Sequence, residues 1–165
     1  YKLSEVLIKL PEDIRKRLTI SHQVRKEHIS SVKKIYNIYK INSKVVSFFN
    51  DINNYISNAG LIICRAGSST IYENVIAGLP AIYFPLKNSA GNHQYENALV
   101  FKNKEAAWIF REIDIENGFF FKSFQKIVND PYLLKKFSIN KKSFAKPDAA
   151  VKLKEIILSL GNRNV

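Results

Sequence analysis

The sequence predicts an α/β fold, a Rossmann-like parallel sheet with helices on both faces. Three observations carry that expectation. Short runs of β-branched and aromatic residues alternate with stretches of helical periodicity along most of the chain. Turn and stop signals such as Asn50-Asp51 and Gly78-Leu79-Pro80 separate the two patterns. The length of 165 residues, 46% of them hydrophobic with 8 Tyr and 11 Phe, suits one ordinary domain with a sizeable core and excludes a disordered chain.

Leu3, Val6, Leu7 and Leu10 have helical spacing, which Pro11 interrupts. Leu18-Thr19-Ile20-Ser21 reads as a short strand. Ile29, Val32, Ile35 and Ile38 then recur every three residues and predict an amphipathic helix over 27–39. Lys44-Val45-Val46-Ser47-Phe48-Phe49 has strand composition, and Asn50-Asp51 is a capping signal for a short helix through Ile52, Tyr55 and Ile56. Strand 61–65, helix 69–77, strand 81–84, helix 93–103 and strand 106–110 follow. The stretch 118–160 is helical, with breaks at Pro131 and Pro147. Neither a repeat nor a long linker divides the chain, so residues 1–165 are expected to form one domain. In open α/β sheets, ligands bind beyond the carboxyl ends of the strands. The loops after Phe49, Arg65 and Phe84 are therefore the first places to look.

The formal charge is +12. Such a balance suits an anionic membrane surface or a nucleic acid, but the lysines are scattered from Lys2 to Lys154. The pairs Lys135-Lys136 and Lys141-Lys142 are expected to form a solvated helix face. Zinc spacings and RNA-binding aromatic motifs are absent from the sequence, so nucleic acid is not the expected partner. One cysteine, Cys64, rules out a disulfide framework within the chain and points to a reducing compartment. It lies in an apolar strand and reads as structural. The sequence has no apolar run of the ~20 residues that a spanning helix requires and opens without a signal-peptide pattern. It contains no methionine and begins at Tyr1, from which a fragment or a trimmed product is expected.

The most informative stretch is Cys64-Arg65-Ala66-Gly67-Ser68-Ser69-Thr70-Ile71-Tyr72-Glu73. Gly67 permits a tight turn and a close approach. Ser68, Ser69 and Thr70 fall at a helix's first turn, where unpaired amides and the dipole favour an anion such as a diphosphate. Thr70 and Glu73 also fit a capping box, in which Glu73 would return to the Thr70 amide and have only a structural role. A second constellation, Asn92-His93-Gln94-Tyr95-Glu96-Asn97-Ala98, opens another helix. Gln94 and Asn97 share one face there, and paired carboxamides suit sugar hydroxyls. The plain alternative is a cap at Asn92 with a polar surface after it. His22-Gln23 at a strand end reads as loop chemistry. Tyr95, Trp108 and Phe119-Phe120-Phe121 read as core or partner-facing aromatics.

Taken jointly and in this order, these stretches resemble the C-terminal half of the MurG family of N-acetylglucosaminyltransferases. The resemblance rests on Ser47-Phe48-Phe49-Asn50-Asp51-Ile52, on 64–73, on Ala77-Gly78-Leu79-Pro80-Ala81 with Pro85, on 92–98, and on Pro147-Asp148-Ala149-Ala150. It implies a GT-B architecture, of which this chain would be the UDP-GlcNAc-binding C-terminal domain. It also implies GlcNAc transfer from UDP-GlcNAc to undecaprenyl-diphospho-MurNAc-pentapeptide (lipid I to lipid II). By that match, backbone around Phe49 would read the uracil, and Ser68, Ser69 and Thr70 would meet the diphosphate and adjoining sugar. Glu73 would accept from the ribose hydroxyls, and Gln94 and Asn97 would hold the GlcNAc hydroxyls, with His93 beside them. Amides and a helix dipole would stabilise the leaving group in an inverting displacement, and the sequence lacks the Asp-x-Asp motif of metal-dependent sugar transferases.

The resemblance further implies a cytoplasmic protein, peripheral on the inner face of the bacterial inner membrane. Its family's first strand, glycine-rich loop and N-terminal acceptor domain would precede Tyr1, so this chain alone is expected not to turn over. Val24-Arg25 depart from the small hydroxylic residue and glycine that the family places after His-Gln. Two other readings remain: a different GT-B nucleotide-sugar transferase or epimerase, and a non-enzymatic basic module binding anionic lipid or nucleic acid.

Overall fold

The computed structural model describes residues 2–87 and 90–161. Five strands alternate with helices: β1 (Thr19–Gln23), β2 (Asn42–Val46), β3 (Ile62–Cys64), β4 (Ala81–Tyr83) and β5 (Ala107–Ile109). Every strand pair is parallel, as the alternating pattern requires, because parallel neighbours need a crossover segment between them. Helix α3 (Ile29–Ile38) returns the chain from β1 to β2 and buries Val32 and Tyr36 on its inward stripe. Helix α5 (Ser68–Ala77) does the same between β3 and β4 with Ile71, Asn74 and Val75. Helix α6 (His93–Lys102) connects β4 to β5. The helix α4 (Ile52–Ser57) begins at an Asp51 whose side chain accepts from the Asn54 N–H, as its capping signal predicts.

The sheet differs from expectation in one respect: it lies in two pieces. β1 pairs only with β2, while β3, β4 and β5 form a separate ladder in that order. The pieces nevertheless share one apolar core. Val24, Ile41 and Val45 from the first pack in one cluster with Ile82, Phe84 and Phe110 from the second. Between the carboxyl ends of β1 and β3 runs a cleft of about 630 Å³, lined by His22, Gln23 and Val24 on one side and Ile63, Cys64 and Arg65 on the other. The outer edges of β1 and β3 thus border a common space without pairing across it.

Two short helices went unanticipated. Pro11 does not merely stop α1 (Lys2–Leu7); it precedes α2 (Glu12–Arg17), where the missing N–H costs nothing. α7 (Glu112–Glu116) starts where Asp114 accepts from the Arg111 N–H at 2.7 Å. α2 buries only Ile14 and α7 buries nothing fully, so neither writes an apolar period into the sequence. The helical C-terminal stretch resolves into α8 (Phe119–Asn129), α9 (Pro131–Lys142) and α10 (Ala149–Gly161), with the breaks at the two prolines. The aromatic residues read as core are largely that. Phe120 is fully buried, edge-on to Phe84 and Phe110, and Trp108 stacks on Phe137 with ring centres 3.8 Å apart. Phe119 stands exposed.

The expectation of a solvated lysine face on α9 needs correcting at one residue. Lys135, Lys136 and Lys142 are exposed, but Lys141 is fully buried. Its ammonium donates to the Tyr83 hydroxyl at 2.8 Å and lies 4.2 Å from the Phe101 ring centre. The inward turn of α9 carries it over β4, where ring faces and one hydroxyl replace water.

α10 has the opposite character. Val151, Leu153, Ile156, Ile157 and Leu158 are all more than half exposed. Among the described residues, no helix is long and apolar enough to cross a membrane.

Candidate functional site

Helix α5 begins at Ser68, with Gly67 in extended conformation as its N-cap (φ −66°, ψ 144°). The first helical hydrogen bond runs from the Ile71 N–H to the Gly67 carbonyl at 2.9 Å. Among the described residues, the amides of Ser68, Ser69 and Thr70 therefore have no partner, and no side chain caps them. Ser68 and Ser69 are exposed and Thr70 is half-buried. The turn is open to solvent, with three N–H groups and the positive end of the helix dipole presented together. This is the arrangement that binds phosphate.

Starting the helix at Ser68 also decides the role of Glu73. Thr70 is the third helical residue rather than the cap, so the capping box is not formed. Glu73 is exposed, and its carboxylate makes no hydrogen bond or ion pair with any described residue. Ser69 and Glu73 are one turn apart and share a stripe. Ser68 faces another way, into a mainly apolar groove of about 410 Å³ that it lines with Ile71, Tyr72, Val75, Asn97 and Phe101. The structure thus brings Ser68 and Asn97 together and sets Ser69 with Glu73.

On α6, Asn92 and Gly91 both hold left-handed backbone, with φ of 57°. Asn92 occupies the cap position, but its side chain makes no capping bond. A Cβ on Gly91 would come 3.0 Å from the ring of His93, so the imidazole lies against that turn. Gln94 accepts from the Leu86 N–H at 3.1 Å through Oε1 and ties the loop after β4 to the helix. Its two amide hydrogens are without partners among the described residues. Sequence reasoning did not foresee this loop-holding role, for which spacing gives no signal.

Phe49 sits beyond β2, where its ring turns into the body, 7% exposed and 4.4 Å from the Tyr55 ring. The strand ends at Val46 rather than at 49, opposite Gln23, the last residue of its partner β1. Among the described residues, the Phe49 N–H has no hydrogen-bond partner. A fixed ring holding an unpaired N–H suits the reading of a planar ligand edge by backbone.

The cleft between β1 and β3 is charged at its mouth. Arg65 donates to the Phe84 carbonyl at 3.1 Å and to Glu112 at 2.8 Å. That guanidinium holds the Glu112 carboxyl below its ordinary range. His22 pairs through Nδ1 with the hydroxyl of buried Tyr36 at 2.9 Å, and burial pushes its pKa down to about 4. The ring is neutral at neutral pH, so the pair acts as a strand-end anchor, in keeping with loop chemistry. Cys64 is half-buried, and burial raises its thiol to about 11, which leaves it a poor nucleophile. The described residues include no group of His, Cys, Asp and Glu that would hold a metal ion.

Known proteins are similar to this chain. The chain is 32% identical over 155 residues to the UDP-N-acetylglucosamine--N-acetylmuramyl-(pentapeptide) pyrophosphoryl-undecaprenol N-acetylglucosamine transferase of Caulobacter vibrioides (strain NA1000 / CB15N), covering 94% of this chain and 43% of that protein. The protein of the same name from Rickettsia bellii (strain RML369-C) is 34% identical over 124 residues, which is 75% of this chain and 35% of that one. The chain spans less than half the length of these curated relatives. The crystal structure of MurG from Acinetobacter baumannii superposes with a TM-score of 0.76 at 25% identity, over 94% of this chain and 48% of that one. A crystal structure of the glycosyltransferase VinC, at 10% identity and a TM-score of 0.61, shows the fold alone. The family model described as the glycosyltransferase family 28 C-terminal domain matches residues 1–153, and the chain belongs to that family.

Proposed function

We propose that the chain is the donor-binding half of an inverting N-acetylglucosaminyltransferase, one that moves GlcNAc from UDP-GlcNAc to undecaprenyl-diphospho-MurNAc-pentapeptide in peptidoglycan synthesis. The observation that carries this reading is the start of α5. Three unpartnered amides converge on one exposed turn, and an uncommitted carboxylate follows one turn later. The diphosphate rests on the amides of Ser68, Ser69 and Thr70. Glu73 accepts hydrogen bonds from the ribose, and the free N–H of Phe49 meets the uracil. Gln94 gives its amide hydrogens to the GlcNAc hydroxyls, with Asn97 and His93 near them. The names of the relatives support the choice of donor and acceptor.

In the reaction, a MurNAc hydroxyl oxygen attacks the anomeric carbon, and the bond from that carbon to the UDP oxygen breaks. The negative charge that grows on the diphosphate moves onto the α5 amides, which are already aimed and need no reorganisation. The hydroxyl proton leaves to a base outside this chain. The open edges of β1 and β3 are where one further parallel strand fits, and the glycine-rich loop of the resemblance would follow that strand. The acceptor-binding domain would precede it. Peripheral attachment to the cytoplasmic face of an anionic inner membrane draws on the charge of +12.

Calorimetric titration with UDP-GlcNAc tests the reading. Saturable binding, displaced by UDP, is expected. The assignment fails if a longer version of the protein, carrying the upstream loop, shows no heat with UDP-GlcNAc.

A further inference from the structure

We propose that Lys141, Tyr83 and Asn74 are positioning residues, a buried polar brace running from α9 through β4 to α5 that sets how α5 presents its first turn and Glu73. The link from that brace to nucleotide-sugar binding rests on the function proposed above. The existence of the brace does not.

All three side chains have no solvent exposure. Lys141 Nζ donates to Tyr83 Oη at 2.8 Å, and no carboxylate pairs with it among the described residues. The Asn74 amide faces the same tyrosine hydroxyl and donates to the Cys64 Sγ at 3.7 Å. Its Oδ1 is buried without a partner among the described residues. Filling this volume takes no polar atoms, and a buried amine with one acceptor beside an unmet carbonyl oxygen opposes folding. Unmet polar atoms in a native interior call for a reason beyond packing. Their location supplies one. Asn74 directly follows Glu73 on a ten-residue helix, and a rigid helix that rolls at Asn74 carries its neighbour with it. α9 grips the far end as well, for the Lys142 stem lies over Gly78 so closely that a Cβ there would fall 2.3 Å from its Cγ. Two successive lysines of α9 therefore bear on α5, Lys141 by way of Tyr83 and Lys142 at the helix's C-terminal end.

The brace has two chemical states. As an ammonium, Lys141 donates to Tyr83. As a neutral amine it accepts from the tyrosine O–H, which reverses the bond next to Asn74. Burial lowers the lysine pKa to about 7. The titratable groups facing it are Tyr83 on β4 and Cys64 on β3, and Glu73 on α5 acts on the latter.

Amide spectra of the isotope-labelled chain, recorded from pH 6 to 9 for the natural protein, Lys141→Met and Tyr83→Phe, test the brace. Amides 69–73 are expected to titrate near neutrality in the natural chain and to stop titrating in Lys141→Met while its melting temperature holds. Affinity for UDP-GlcNAc is expected to weaken about fivefold in both variants. Amides 69–73 that keep the natural chain's positions in both folded variants at one fixed pH refute the brace, whatever their pH response. Unmoved α5 resonances and unchanged affinity in folded Lys141→Met or Tyr83→Phe would also sink it. Titrating amides in a chain that binds no UDP-GlcNAc would uphold the brace and overturn the donor assignment instead.

Discussion

Glu73 and Lys141 are the residues at which the chemistry is most sharply defined, and each invites a measurement. Glu73 has no hydrogen-bond or ion-pair partner among the described residues. Glu73→Ala is therefore expected to leave thermal stability within experimental scatter. It should weaken UDP-GlcNAc by about 1.5–3 kcal/mol, the usual loss for a hydrogen bond to a charged acceptor, or roughly 10- to 150-fold in Kd by calorimetry. A fall in melting temperature with affinity intact would return the residue to a capping role. Lys141 predicts a pH dependence of stability. The unfolded lysine keeps its proton to the ordinary 10.5, whereas the folded one releases it near 7. Between those values the unfolded chain binds more protons, so stability rises with pH. Cys64 works the other way above its ordinary 9.0, since its folded thiol is raised to about 11. The clean window is pH 7 to 9, where denaturant titrations should show a slope of up to about 1.4 kcal/mol per pH unit. Lys141→Met should abolish that slope. This site was not legible in the sequence, because a lysine in a Lys-Lys pair on a helix carries no mark of which neighbour turns inward.

At the level of elements, periodicity located every strand and each helix with a continuous apolar stripe. The mismatches have separate physical causes. α7 starts at the Arg111–Asp114 cap, α2 has no side-chain cap at its start, and both contribute little to the core. β2 stops early because its partner β1 ends opposite Val46. The capping box depends on where a helix starts, and a shift of the cap by three residues, from Thr70 to Gly67, removed it. The candidate site residues stand out in the sequence as polar groups at helix N-termini, but the bond from the Leu86 N–H to Gln94 joins segments that no local pattern connects. The end of α5 offers a further test. Gly78 has φ of 62° beneath the Lys142 stem. Gly78→Ala should destabilise through both left-handed strain and that contact, by about 1 kcal/mol for the strain alone. Adding Lys142→Ala should recover the steric part only. Chemical denaturation of the single and double variants separates the two, and full recovery in the double would exclude backbone strain.

Across the whole molecule, two cores divide the load. One joins both sheet pieces to α1, α3 and α8, while the other lies beneath α5 and α6. Neither includes a described residue of α10, whose aliphatic side chains are largely in solvent. Ending the chain after Asp148 should therefore shift the melting temperature by no more than about 2 °C and reduce self-association seen by light scattering. A large loss of stability would show that α10 packs on the body in solution. The separation of the sheet into two pieces was not legible, because each strand reads the same whether its edge is paired or open. The buried amine beneath α5 also gives the molecule an internal clock. Reagents that modify lysine will reach the surface amines within minutes and find Lys141 shut behind Phe101 and Tyr83. The time at which it finally reacts records how often α9 lifts away, in a single mass-spectrometric peak.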